Sequence, residues 1–364
     1  MRSGPPTIAH RRLRAQRLAG PQVDGPIDAV RQLLAVQAQD HAGAKWAVAQ
    51  RTAGATDHDL DRLFDEGSLI RTHVLRPTWH FIAPEDLRWL LDLTAARVRA
   101  TTASYFRRLE LDDALLGASR DVLRAALEGG RAITRSEVAA AYAAAGIEAD
   151  ALRRSFLLMD AELAAVVCSG PRRGKQHTFM LVDERVPPSP ARSRDEGLAE
   201  IARRYVDGHG PAQAGDLAGW SGLTMADARA GLELAGTALV RETVGDRTFW
   251  VSASEPAADG GSNGDPLVHL LPNYDELLIA FRDRSDAADP GLPADARVSE
   301  TLLAHIIVRR GLVVGGWRSR TGRTSVDLTP DLLVPFGEAG RIALRAAADR
   351  LAAFVGQPVV LGGD

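Results

Sequence analysis

Cysteine is nearly missing from these 364 residues: Cys168 stands alone, which excludes an internal disulfide and any multi-cysteine zinc or iron–sulfur site. Lysine is almost as scarce. Of 44 basic residues only Lys45 and Lys175 are lysines, so Schiff-base chemistry would have two candidate amines and no more. No apolar run approaches the ~20 residues that cross a bilayer, and the opening segment MRSGPPTIAHRRLRAQRLAGPQVDG has no signal-peptide core. A cytoplasmic protein without membrane contact is therefore expected. The nine histidines form no HExxH and no close His–x–His pair, and Walker and dinucleotide glycine motifs are absent. The expectation is no metal and no cofactor. Excess charge is missing too, since a formal net charge of −3 argues against a uniformly basic nucleic-acid binder.

What is present is the composition of an ordinary globular chain, 45% hydrophobic and 25% charged, long enough for two or three domains at ~100–200 residues each. The near-neutral average conceals segregation. Five arginines and no acid lie between Ile307 and Arg323, and Arg172, Arg173 and Lys175 lie between Cys168 and His177, again with no acid. A neutral protein can still hold a polyanion through such basic tips.

One local pattern recurs: helix, turn, helix, then two strands joined by a tight turn. Its first occurrence spans roughly 26–82. Pro26 suits the first turn of a helix carrying Val30, Leu33 and Leu34; a helix near Asp57–Asp65 follows, then the stretches LIRTHVL and TWHFI around Arg76-Pro77. In the second, Thr134 to Glu137 is a capping-box signature, a helix is expected over Ala151–Leu163, and strands AAVVCS and TFMLV flank GPRRGKQH. The third begins near Gly197 and ends in strands ALVRETV and RTFWVSA around Gly245-Asp246. Connectors are expected at 185–193 and 257–266. The last hundred residues read as strands LVHLLP, LVVGGWRSR and RTSVDLTP and a helix over Ala339–Phe354. The expected class is α+β: three tandem winged-helix units (1–115 with flanking helices, 116–192, 193–256), then a small β-rich, barrel-like domain over 264–364.

Gln37-Ala38-Gln39 stands out chemically. Gln37 continues the apolar stripe of Val30, Leu33 and Leu34, which puts a primary amide on a buried face. Residues two apart on a helix diverge by about 200°, so both amides share a cleft only if the helix ends or unwinds there, and Asp40-His41-Ala42-Gly43 offers a stop. The alternative is a hydrogen-bonded core amide at Gln37 and a surface residue at Gln39. WRSRTGRT reads as a hairpin turning at Thr321-Gly322, whose Arg318, Arg320 and Arg323 either clamp phosphates or coat a solvated surface. Arg172, Arg173 and Lys175 at the second wing face the same choice, and Arg76 beside Pro77 is a further phosphate candidate. Trp79-His80 reads as packing in the first wing, Cys168 as a small buried hydrophobe, and Gly315-Gly316 as a bend within a strand. Asn273-Tyr274-Asp275-Glu276 is either a second functional cluster or a helix start capped by Asn273.

VQAQ, LRPTWHFIAPEDLRWLL, LLPNYDELLIAFRDR and VVGGWRSR, in this order, resemble the AlkZ-type winged-helix DNA glycosylases over essentially the whole chain. The resemblance implies tandem winged helices, a C-terminal β-rich domain and a Gln–apolar–Gln active-site motif, here Gln37 and Gln39; the related YcaQ-type branch carries Gln–x–Asp. It implies a monomeric, monofunctional enzyme acting on double-stranded DNA with cationic N7- or N3-alkylated purines, including bulky adducts or interstrand crosslinks. It also points to self-resistance against an alkylating natural product such as azinomycin B. The chemistry is consistent: glutamine does not titrate near neutrality, yet it can orient a water, which suffices when the leaving base already carries positive charge. The competing readings are a winged-helix regulator that binds DNA without altering it and a lesion-shielding protein.

Overall fold

The computed structural model describes residues 7–255, 268–293 and 305–362; the connector expected at 257–266 lies outside them. After α1 (Ile8–Ala15), one order of elements recurs three times: helix, short strand, two helices, hairpin. The first set is α2 (Pro26–Leu33), β1 (Ala35–Gln37), α3 (His41–Ala49), α4 (Asp57–Glu66), β2 (Ile70–His73) and β3 (Trp79–Ile82). The long α5 (Leu87–Arg108) leads to α6 (Asp113–Leu127), β4 (Ile133–Thr134), α7 (Arg135–Ala144), α8 (Ala151–Leu163), β5 (Val167–Arg173) and β6 (Gln176–Leu181). A short α9 (Val182–Arg185) precedes α10 (Arg194–His209), α11 (Ala214–Ser221), α12 (Met225–Leu234), β7 (Leu239–Val244) and β8 (Arg247–Ser252). Here the short strand shrinks to a bridge between Ala212 and Trp250. Sheet orders β1-β3-β2 and β4-β6-β5 match.

The C-terminal part holds β9 (Val268–Leu271), α13 (Glu276–Ile279), β10 (His305–Arg309), β11 (Leu312–Thr321), β12 (Val326–Leu332), α14 (Glu338–Val355) and β13 (Val359–Leu361). Its strands form one curled sheet in the order β13-β12-β11-β10-β9, antiparallel except for β12 with β13. The register shifts between Ile307 and Val308, opposite Gly315. A Cβ on Gly315 would sit 2.2 Å from the Asp331 carbonyl, so the strand bends where only glycine fits. The α+β class is as the sequence implies.

Local rules explain most boundaries. Thr56, Thr134 and Ser193 each close a capping box with the acid three residues on. Two expectations need correcting. The helix carrying Val30 and Leu33 stops at Leu33, Leu34 turns out at φ +65, and Gln37 belongs to a strand. Asp40 does not stop a helix; its carboxylate accepts from the Gly43 N–H at 3.1 Å and starts α3.

The cores do not respect the repeats. Leu34, Ile70, Leu90, Cys168, Tyr205 and Trp220 share one cluster drawn from all three units. Val36, Trp46, Phe81, Leu270, Trp317 and Phe354 share another, between the first unit and the C-terminal sheet. Each such large side chain contributes ~1.5–3 kcal/mol on burial, so the units are fixed on one another rather than strung on linkers. Among the described residues no helix is long and apolar enough to cross a membrane.

Candidate active site

β1 is an edge strand, paired on one side with β3 through Ala35–Ile82, Val36–Phe81 and Gln37–His80. Backbone N–H groups alternate sides along a strand. Ala38 therefore donates to the Trp79 carbonyl at 2.7 Å, whereas the Gln37 N–H points away from the sheet. Oε1 of Glu276 accepts it there at 2.8 Å. Glu276 is 0% exposed, and its Oε2 accepts from Trp220 Nε1 at 2.9 Å. Burial alone would raise this carboxyl, but the neighbouring His209, the Arg76 charge and the Gln37 peptide hold it below its ordinary value.

Directly opposed residues in paired strands share a face. Gln37 stands opposite His80, and His80 opposite Thr72 on β2, so these side chains form one row. The row is short of partners: Gln37 Oε1, Thr72 Oγ1 and both His80 ring nitrogens are buried with no hydrogen bond of normal geometry. Burial pushes His80 well below its ordinary value and keeps it neutral. A buried polar group without a protein partner is a candidate place for a hydrogen-bonded water.

Gln39 lies two residues past the end of the strand, exposed, on the lip of a cavity of about 620 Å3 between the first and second units. Gln37 does not line it. Arg71 and Trp79 form the wall given by the first unit; Arg135, Glu162 and the β5–β6 hairpin with Gln176 and His177 give the rest. Ser169 Oγ accepts from the Arg71 N–H at 2.8 Å and ties the two walls together. Glu162, 1% exposed, contacts His73 Nδ1 closely through Oε2, and Trp79 Nε1 lies 3.4 Å from Oε1. The Arg71 guanidinium lies 4.3 Å from the Trp79 ring centre. Trp79 is thus a wall of the cavity and not only packing. His177 sits 4.8 Å ring to ring from His41; burial, reinforced by surrounding cations, lowers them to about 4 and about 2.

The hairpin arginines Arg318, Arg320 and Arg323 are exposed and have no acidic partner among the described residues. The turn falls at Gly322–Ser325, where Gly322 donates to the Ser325 carbonyl, slightly beyond Thr321-Gly322. Trp317 points the other way, donating to the Leu271 carbonyl at 2.9 Å. At the second wing the basic side chains are less free: Arg172 lies 3.5 Å from Asp61 and Arg173 2.8 Å from Glu137. Lys175, at the tip, is exposed. Arg76 is half-buried and donates to the Trp220 carbonyl at 2.9 Å, which binds the first wing to the third unit rather than presenting a cation to solvent.

Asn273 does not cap α13; Asp275 does, accepting from the Leu277 N–H at 2.9 Å. Asp275 also takes both terminal nitrogens of Arg51, at 2.8 and 2.9 Å, with Arg51 0% exposed. The NYDE segment is therefore the brace along the free edge of β1. The sequence left it between a second functional cluster and a helix start capped by Asn273, and did not single out Arg71, Arg135 or Glu162 as site residues. A charged residue alternating into the half-buried face of LIRTHVL was the available signal for Arg71. Lys45 is buried 2.7 Å from both Asp57 and Asp61, occupied as a structural cation. Burial pushes the Cys168 thiol up to about 12, leaving it inert. Among the described residues no group of three or more His, Cys, Asp or Glu could hold a metal ion.

A family model described as DNA glycosylase AlkZ-like matches residues 30–354. An interstrand DNA cross-link repair glycosylase from Streptomyces sahachiroi is 26% identical over 324 residues, covering 84% of this chain and 85% of that protein. The solved structure of Streptomyces sahachiroi DNA glycosylase AlkZ superposes with a TM-score of 0.76 at 21% identity, covering 98% of each chain; that likeness shows the fold.

Proposed function

The chain belongs to the DNA glycosylase AlkZ-like family, and from that premise we propose that this hydrolase of N-glycosyl bonds releases cationic N7-alkylated purines from duplex DNA and leaves an abasic site. Gln37 and Gln39 hold the attacking water, and the protein works as a monomer in the cytoplasm, without metal or cofactor. The observation that carries this reading is the buried, unpartnered Oε1 of Gln37 in a row with His80 and Thr72, on an edge strand that continues to an exposed Gln39. A carbonyl oxygen without a donor is a ready acceptor for a water proton, and an amide can accept and donate without changing charge.

The mechanism follows from the leaving group. An N7-alkylguanine is already positive, so the bond to C1′ breaks as the electron pair moves onto the purine, which leaves neutral, while positive charge develops on the sugar. Water held by amide dipoles meets that carbon and loses its proton to solvent once the C–O bond forms. Oriented dipoles and proximity suffice for this chemistry, and no strong base is required. The same requirement protects undamaged, neutral bases. Of the two lysines, Lys45 is held by two carboxylates and Lys175 stands at the tip of the second wing, where it grips phosphate, so the reading is simple hydrolysis without a Schiff base.

The related cross-link repair glycosylase extends the reading to bulky and interstrand-crosslinked N7 adducts, and the motif resemblance adds self-resistance against an alkylating natural product such as azinomycin B. Arg318, Arg320, Arg323 and Lys175 grip the backbone; Arg172 and Arg173 join them only by sharing their carboxylates. Duplexes carrying one N7-methylguanine, one bulky N7 adduct, one N7–N7 interstrand crosslink or no lesion separate these claims. Base release is expected from the three damaged duplexes and none from the last. Release from none of them overturns the reading.

A further inference from the structure

Two guanidiniums meet at the Trp79 indole with more donors than the protein uses. Arg71 Nε donates to the Ala38 carbonyl at 2.9 Å, and its terminal nitrogens have no acceptor among the described residues. Arg135, 6.0 Å from the same ring, gives one terminal nitrogen to Ser155 Oγ at 2.9 Å and keeps the rest. The one carboxylate in the wall, Glu162, is engaged with His73 and faces Trp79 Nε1, and it forms no salt bridge with either arginine among the described residues. His177, the other titratable group of the wall, is neutral. The remaining polar groups at the rim include the amides of Gln39 and Gln176 and the Ser136 hydroxyl.

We propose that this cavity seats a phosphodiester of the lesion strand, the one next to the nucleotide under attack, with Arg71 and Arg135 as its two clamps and Gln39 at the lip. The inference rests on the assignment of Gln39 to the reacting nucleotide and adds the contact that registers the DNA on it. An apolar adduct in the same place would leave both guanidiniums desolvated and unpaired, which is strongly unfavourable for a buried charge. An anion with several acceptor oxygens satisfies them, and arginine forks match phosphate oxygens in geometry as well as charge. Burial supports this: it lowers Arg71 to about 10 even with the Glu162 charge nearby, and an anion seated on the guanidinium would favour its charged form. A contact of this kind carries no sequence information; it sets position.

Binding tests the contact without requiring cleavage. The probe is a duplex with N7-methylguanine on a 2′-fluoroarabino sugar, which resists hydrolysis, bearing a neutral methylphosphonate on one or the other side of the lesion, or far from it. For the wild type, one of the two flanking substitutions weakens binding roughly ten- to a hundredfold and lowers the slope of log K against log salt by about 0.9. Arg71→Met shows the same loss on unmodified phosphate and is indifferent to that methylphosphonate. Arg135→Met, measured alongside with thermal melting of both variants, serves if Arg71→Met does not fold. If the flanking and distant substitutions act alike, or the folded variants remain as sensitive as wild type, the phosphate clamp is wrong. Base release from the cleavable duplex, measured separately, reports on the glycosylase reading.

Discussion

Replacing Glu276 with glutamine keeps the side chain's shape and removes one acceptor oxygen from a place with no exposed surface. Two buried donors depend on it, the Gln37 N–H at 2.8 Å and Trp220 Nε1 at 2.9 Å. The variant can satisfy one; the other meets an N–H. A buried donor left unsatisfied costs about 1–3 kcal/mol, so Glu276→Gln is expected to lower unfolding free energy by that amount in urea titrations. Glu276→Ala orphans both donors and should lose about twice as much. The freed donor at Gln37 loosens the outer edge of β1, and base release is expected to fall roughly ten- to a hundredfold while DNA affinity holds. The pH dependence has a definite sign. Glu276 titrates below its ordinary value of 4.5 in the folded state, so its ionised form contributes stability above that pH, and the contribution drains as pH falls through the folded value. The gap between wild type and Glu276→Gln should therefore be full near neutrality and close in acid. An unchanged urea midpoint with unchanged base release, or a gap that is flat with pH, would refute the role given to Glu276.

Three further outcomes follow from the same geometry. Changing Arg318, Arg320 and Arg323 together to serine should leave thermal stability near wild type, since all three are exposed, and reduce the salt slope of DNA binding by up to about three units; an unaltered slope means the hairpin does not touch phosphate. Borohydride treatment during turnover should trap no protein–DNA adduct, because Lys45 is held between Asp57 and Asp61 and Lys175 is assigned to the DNA backbone rather than to the sugar; a covalent adduct would contradict simple hydrolysis. Asp275→Asn breaks the buried pair with Arg51 and should cost about 3–5 kcal/mol in unfolding free energy, against little loss for a surface pair such as Arg31 with Asp28.

The legible parts of the sequence were those governed by near neighbours. Thr134 and Glu137 fix the start of α7 through contacts three residues apart, and α8 runs over Ala151–Leu163 as its apolar spacing implies. The hairpins declare themselves through strand composition and a short polar turn. The failures share one cause, pairing at long range. Gln37 continues the helical stripe of Val30, Leu33 and Leu34 perfectly well, and what takes it out of the helix is β3, more than forty residues away. The short strand β4 after α6 is the same feature in the second unit, and comparing the repeats position by position was the route to it. Arg76 looks like a free cation beside a proline; folding delivers it to the carbonyl of Trp220, which no local pattern announces. The motif pair itself was found for its chemistry, two primary amides where the pattern asks for something else. Its brace, Glu276, was quoted within LLPNYDELLIAFRDR, but its purpose exists only once the C-terminal segment lies along β1.

The central claim, that two neutral amides and a charged leaving group are enough, is tested most directly by base release under multiple turnover from a duplex with a single N7-methylguanine. Wild type is compared with Gln37→Ala, Gln39→Ala and the double variant, with DNA affinity measured in parallel. The account predicts that release collapses in each variant while affinity persists, and that the double variant is little worse than the poorer single one, because the two amides hold one water. Wild-type rates of release in Gln37→Ala and Gln39→Ala would contradict it and return Gln37 to the interior as a packing residue.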